Sequence, residues 1–249
     1  MVHPFCQEKK SLTTFKKKVM KLVLFDIDGT LSDTTAVDDK CFIAAFRDCF
    51  DIDIHGQDWS TINNVTDWGI TEELFALHKK RSISAKEFQA MKATHCRYIK
   101  EESQKDIDQY GEIPGASSFF YTLSERSDIG IGLATGAWRD SAQTKLECIG
   151  IQPDQFAFSN SDHHKSREAI TENVIFQILK QQTYSPESIY YFGDGLWDYK
   201  TCKNLGIHFI GVDRHRNGRL QKAGAEHIIQ DYKNVEHILN LLDLKKEKA

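Results

Sequence analysis

Two aspartates set two residues apart, Asp26 and Asp28, follow an apolar run from Val19 to Phe25 that only Lys21 interrupts. At the end of a strand, residues two apart point the same way, so both carboxylates can face one substrate. Different surroundings can give such a pair separate jobs. One, kept ionised, can attack phosphorus and form an acyl phosphate. The other can lend a proton to a departing alkoxide and later take one from water. Gly29 lets the backbone turn sharply at this point. The negative charge on a transferring phosphoryl group must also be met by fixed donors. Thr135 and Gly136 offer a hydroxyl and an amide just before a helix expected near Trp138, and helix N-termini favour anions. Lys165 supplies a point charge suited to screening Asp26 from a phosphate dianion.

Further acids lie in Gly193-Asp194-Gly195-Leu196-Trp197-Asp198. Carboxylates brought together repel, so a cluster of Asp26, Asp194 and a backbone carbonyl calls for a cation. Oxygen ligands of this kind suit Mg²⁺, which keeps waters and binds through one or two carboxylates plus a phosphate. No Cys/His set with zinc spacing stands nearby.

The elements that must hold these residues can be read from alternation. Apolar runs at Val19–Phe25, Ile129–Ala134, Ile189–Phe192 and Ile207–Val212 read as strands, three of them ending in the polar groups named above. Helical spacing lies between them, as in Ile170, Val174, Ile175, Ile178 and Leu179, and again in Val235, Ile238, Leu239 and Leu242. The fold class predicted is α/β: a Rossmann-like parallel sheet with helices on both faces. From Ala36 to Gly111 the pattern is helical without a buried strand, which predicts an all-helical inserted domain over 36–111 and a core formed by 19–35 and 112–243. An insert placed there sits at the carboxyl ends of the strands, where open α/β sheets hold ligands, and is a candidate lid.

Composition narrows the class. The 249 residues are 40% hydrophobic and 27% charged, the balance of a soluble globule. A net charge of -4 gives no global argument for nucleic acid or an acidic membrane as partner. Six scattered cysteines without a C-x-x-C pair suit reduced thiols in a cytoplasm. No secretory signal or apolar run long enough to cross a bilayer is evident. The basic residues before position 19 and the tail 245–249 read as solvated extensions.

With these residues in order, the chain resembles the haloacid dehalogenase superfamily of hydrolases. Asp26-Ile27-Asp28-Gly29-Thr30-Leu31 resembles the first motif, Thr135 the second, Lys165 the third and Gly193-Asp194 with Asp198 the fourth. The resemblance implies a magnesium-dependent phosphatase acting on a small-molecule phosphate ester through a phosphoaspartate. It also implies a helical cap of the phosphoglycolate phosphatase and β-phosphoglucomutase type. Carried over, Asp26 would be nucleophile and metal ligand, and Asp28 general acid/base with its carbonyl on the metal. Thr135, with Gly136 beside it, and Lys165 would hold phosphate. Asp194 would complete the metal site, with Asp198 on or near it. One departure stands out: many relatives carry proline after the third-motif lysine, and here Ser166-Arg167 follow.

Other readings remain in view. A phosphomutase would share every core residue and differ in the acceptor. A dehalogenase would not need Asp28, and a phosphonatase would need a marked cap lysine. A silent binding protein on the same fold would have no reason to keep the acids. Thr66-Asp67-Trp68-Gly69 reads either as a loop that drops onto substrate or as a turn anchored by a packed tryptophan. His163-His164 reads as a polar loop, Trp197 as packing beside the fourth motif, and Arg139 as an exposed helix residue.

Overall fold

The structure is a computed structural model and describes residues 20–180 and 186–244. The basic residues before position 19, Val19 itself, Cys6 and the tail 245–249 lie outside the described residues.

Strand β1 (Met20–Phe25) runs through the middle of the molecule, and Leu22, Val23, Leu24 and Phe25 are all fully buried. A strand covered on both faces needs no polar alternation, which is why this segment reads as a solid apolar run. Its two faces nevertheless serve different cores. Val23 and Phe25 pack with Phe119 and Phe120 of α4 (Ala116–Ser124), Ala142 and Leu146 of α5 (Arg139–Cys148), and Ile238 and Leu239 of α9 (Val235–Leu241). Leu22 and Leu24 pack with Ile170 and Val174 of α6 (Arg167–Lys180), Cys202 of α7 (Leu196–Leu205) and Leu220 of α8 (Arg219–Ala223).

Around β1 lie β2 (Ile129–Ala134), β3 (Ala157–Ser159), β4 (Pro186–Gly193), β5 (His208–Val212) and β6 (Ile228–Ile229), in the order β3-β2-β1-β4-β5-β6. Every pairing is parallel. Strands β3 and β6 are not among the expected runs. They are edge strands of three and two residues, too short to leave a periodic trace.

The register decides where the site falls. Phe25 lies opposite both Leu133 and Phe192, so β1, β2 and β4 finish nearly level. The chain winds outward from β1 in one direction through β2 and β3, and in the other through β4 to β6. The crevice beyond the strand ends at such a reversal is where α/β sheets bind ligands.

Between β1 and α4 come α1 (Thr35–Phe50), α2 (Asp67–Lys79) and α3 (Ala85–Lys105). The last opens with a capping box in which Ser84 and Glu87 satisfy each other's backbone amides. These helices enclose a core of their own, including Phe42, Phe46, Leu74, Phe75 and Met91. Trp138 belongs to that core too, although it precedes α5 of the sheet layer. The insert is thus seated on the core through a fully buried indole. No helix among the described residues is long and apolar enough to cross a membrane.

The Phe25 ring stacks on Phe192 at 4.8 Å and meets Phe120 edge-on at 5.5 Å. Phe25→Ala is therefore expected to lower unfolding stability by about 4 kcal/mol in urea titration, as for deep aromatic truncations generally. A loss under about 1 kcal/mol would contradict the packing described.

Candidate active site

Asp26 continues β1 by one residue, its amide donating to the Phe192 carbonyl at 2.9 Å. The chain then coils tightly: Leu31 and Ser32 amides return to the Ile27 carbonyl, and Gly29 donates to Ser32 at 2.7 Å. Gly29 has φ +72°, and a Cβ there would fall 2.2 Å from Asp194 Oδ2. Only glycine lets the first loop approach the fourth so closely. On the β4 side, Gly193 and Gly195 carry the chain past Asp194 into α7, where Asp198 accepts from the Gly195 amide at 3.0 Å.

Carboxylate oxygens of Asp26, Asp194 and Asp198 all lie within 4.8 Å of one another. Burial, opposed by Arg167 and reinforced by the charges of Asp198 and Asp28, raises the Asp26 carboxyl above the usual range. Asp194 is raised well above it by burial and the charges of Asp198, Asp26 and Asp28. The described residues set one guanidinium against this charge: Arg167 Nη1 donates to Asp26 Oδ1 at 3.0 Å and to Asp198 Oδ1 at 3.2 Å. A buried all-oxygen set with surplus negative charge fits a hard divalent cation such as Mg²⁺. No histidine or cysteine joins the cluster among the described residues.

Sequence reasoning missed Arg167. Its Nε donates to the Val65 carbonyl at 2.8 Å, and a Cβ on Gly136 would strike the guanidinium at 2.7 Å. Gly136 thus makes room for the arginine. Lys165, expected at this position, is elsewhere: its ammonium pairs with Glu72 at 2.5 Å, half exposed. Arg167 opens α6 and so projects from a rigid element, whereas Lys165 lies in the loop before it. The trace of this in the sequence is Ser166-Arg167, standing where the resemblance leads one to expect proline.

Thr135 is buried at the end of β2, and its hydroxyl accepts from the Ala137 amide at 3.2 Å. Thr135 and Gly136 line the cavity shared with Asp26, Asp28, Asp194 and Arg167. Trp197 lines it too, in addition to the packing expected of it. Of the loop at Thr66, the residues facing this cavity are Val65, Thr66 and Asp67. Trp68 instead packs against Phe88 and donates to Glu72 at 2.8 Å. Asp67 clamps the loop after β2, its amide donating to the Gly136 carbonyl and its carboxylate accepting from the Trp138 amide, both at 2.8 Å.

Asp28 stands apart from the acid triad. Its Oδ1 accepts from the Thr34 hydroxyl at 2.6 Å and its Oδ2 from Lys145 Nζ at 2.8 Å. Lys145 is fully buried in α5 and also donates to Asp38 of α1 at 2.5 Å. Burial alone would discharge this lysine, but Asp28 and Asp38 outweigh it and hold the ammonium charged. Burial likewise opposes the Asp38 charge, and Lys145 and His95 overcome it, keeping that carboxyl below its ordinary range. His95 of α3, fully buried, lies 3.4 Å from Asp38 and 3.8 Å from Asp67. A line of charged and polar groups therefore runs from Asp28 through Lys145 into three helices of the insert.

The family model described as "Haloacid dehalogenase-like hydrolase" matches residues 23–212. No curated protein matches the sequence. Among solved structures, a hydrolase from Pseudomonas syringae superposes with TM-score 0.70 at 17% identity, over 88% of this chain and 98% of that one. A β-phosphoglucomutase from Clostridium difficile gives 0.67 at 19%, over 90% and 98%. A predicted phosphoglycolate phosphatase from Haemophilus somnus gives 0.59 at 16%, over 88% and 97%.

Two outcomes test this electrostatic arrangement. Lys145→Met leaves Asp28 and Asp38 without the ammonium they share, and should cost about 3 kcal/mol in chemical denaturation. Asp39 gives a pH signature. Burial, then the charge of Asp38, pushes its carboxyl up to about 6 from 3.8, so the folded state binds more protons than the unfolded between those values. Its contribution is therefore present at low pH and lost as pH rises from about 4 to 6, where Asp39→Asn should gain about 2 kcal/mol on the wild type. Above about pH 7 the difference should be flat. A pH-independent difference would contradict the burial of Asp39.

Proposed function

The chain belongs to the haloacid dehalogenase-like hydrolases, and from that premise we propose that it is a phosphatase that hydrolyses a small phosphate monoester through a phosphoryl group carried on Asp26. The observation that supports this most is the position of Asp26. It stands at the central strand end, beside the acids of the fourth motif and one guanidinium, facing the Thr135 loop across a single cavity.

In the first step an Asp26 oxygen attacks phosphorus as the bond from phosphorus to the ester oxygen breaks, and the leaving alkoxide takes a proton from Asp28. In the second, water attacks the phosphoryl group, gives a proton to Asp28, and inorganic phosphate departs as Asp26 regains its carboxylate. Asp26, Asp194 and Asp198, with the Asp28 carbonyl, would hold Mg²⁺, which supplies positive charge against the phosphoryl oxygens and keeps Asp26 ionised. Arg167 supports the same end of the site, and the Thr135 hydroxyl with the Gly136 amide meets the phosphoryl oxygens.

Asp28 has surroundings that serve both of its protonation states. Thr34 Oγ1 is 2.6 Å from Ser32 Oγ, which in turn donates to the Ile27 carbonyl at 3.3 Å. When Asp28 is ionised, Thr34 donates to it. When Asp28 carries a proton on Oδ1, the hydroxyl can turn, accept from it and donate to Ser32.

We take 36–111 as the cap and 19–35 with 112–243 as the core. The two crossings between them lie side by side, Asp33 donating to Gly111 and Ile113 to Leu31, both at 2.9 Å. A paired hinge of this kind suits a lid that shields the acyl phosphate from bulk water. The cap end of the cavity carries no lysine or arginine among the described residues, which favours water over a phosphorylated sugar as acceptor. All five described cysteines are free, in keeping with a reducing cytoplasm.

A phosphate-release assay with and without Mg²⁺ tests the reading. Asp26→Asn should lose at least about a thousandfold in kcat, and chelation should abolish turnover. Arg167→Ala should lose about a hundredfold or more, against less than about threefold for Lys165→Ala. Equal losses in the two cation variants would restore Lys165 to the site.

A further inference from the structure

The cavity above Asp26 has two ends of opposite character. At the sheet end stand the groups that meet the phosphoryl group. The other end is built by the cap, from Asp38, Asp39 and Asp67 among the rings of Phe42 and Trp59. Among the described lining residues the one cation is Arg167, and it is turned to Asp26 and Asp198 at the sheet end.

The three cap carboxylates are not equivalent. Asp38 is met by Lys145 and His95, and Asp67 by the Trp138 amide. Asp39 has the indole N–H of Trp59 on Oδ1 at 3.1 Å. Among the described residues its other oxygen accepts no hydrogen bond, and it forms no ion pair. A half-buried carboxylate without a counter-charge, beside an indole, is a recognition element for a cation. The ammonium charge answers the acid. The cavity measures about 80 Å³, enough room for a short chain after the phosphoryl group.

We propose that the leaving group is a short amino alcohol, its ammonium held by Asp39 against Trp59 and Phe42 at the cap end of the pocket. This rests on the phosphatase reading and narrows it. A second anionic group, such as the carboxylate of phosphoglycolate, would face three carboxylates whose neighbouring ammonium, Lys145, is already held by Asp28 and Asp38. An alkyl group would fill the space and leave the Asp39 charge unanswered. Burial and the charge of Asp38 already push the Asp39 carboxyl up to about 6, and a bound ammonium would return it to the ionised form.

The test compares esters of one size and three charges: 2-aminoethyl phosphate, propyl phosphate and phosphoglycolate, with p-nitrophenyl phosphate as a general reporter. In the wild type, kcat/KM for 2-aminoethyl phosphate should exceed that for propyl phosphate by about tenfold, because the ammonium pairs with Asp39. It should exceed that for phosphoglycolate by about a hundredfold, because a repulsion between like charges is avoided as well. In Asp39→Asn the ratio of aminoethyl to propyl ester should fall towards one. Turnover of p-nitrophenyl phosphate without an aminoethyl preference would overturn the inference and leave the phosphatase reading standing, as would a preference that survives Asp39→Asn. Absence of turnover on all four esters with Mg²⁺ would overturn both. The wild-type ratios decide the matter even if the variant folds poorly.

Discussion

One guanidinium shared between Asp26 and Asp198, with Asp194 close by, is the constraint from which most of the site's architecture follows. Three carboxylates, two of them fully buried and the third half-buried, against one arginine leave negative charge unanswered, and burial makes that costly. The parallel sheet brings them together because β1 and β4 end level, and it cannot separate them without giving up its register. Glycines absorb the crowding. Gly29 admits Asp194, Gly193 admits the Asp198 side chain, and Gly136 admits Arg167. Each would otherwise place a methyl group where a charged side chain sits.

The second charged assembly ties the insert to the core. Lys145 is a buried lysine whose two partners belong to different parts of the chain, Asp28 in the first-motif loop and Asp38 in the first helix of the insert. Removing one member of such a set leaves an uncompensated charge, so the set has a preferred geometry rather than a range of them. Asp67 adds a second tie, joining the start of α2 to the Gly136 carbonyl and the Trp138 amide. The position of Asp28, and of the helices over it, is thereby set by groups other than Asp26, Asp194, Asp198 and Arg167.

Much of this is legible in the sequence, for identifiable reasons. Apolar runs ending in Asp26, Thr135 and Gly193-Asp194 announce both the strands and their functional ends, because a fully covered parallel strand leaves an unbroken run. The haloacid dehalogenase resemblance names the family that the matched segment then shows. What escapes is information held in three dimensions. Lys145 lies on the buried face of α5 with Ala142 and Leu146, yet a lysine in an amphipathic helix reads as solvated until its partners are in place. Asp38 and Asp39 sit in the first turns of α1, where acids are common for helix-dipole reasons alone. Motif spacing points to Lys165 rather than Arg167 because it does not say which of two nearby cations a helix start will carry inward. The edge strands β3 and β6 are too brief for any period to register.

The proposed function depends on Asp26 bonding to phosphorus. Acid-quench trapping during turnover of an ester in Mg²⁺, followed by peptide mass spectrometry, reads that bond directly. The expected result is one phosphoryl group on the peptide containing Asp26, labile to base and absent from Asp26→Asn. Sustained phosphate release with that peptide unmodified at every quench time, or with the phosphoryl group on another residue, would contradict it.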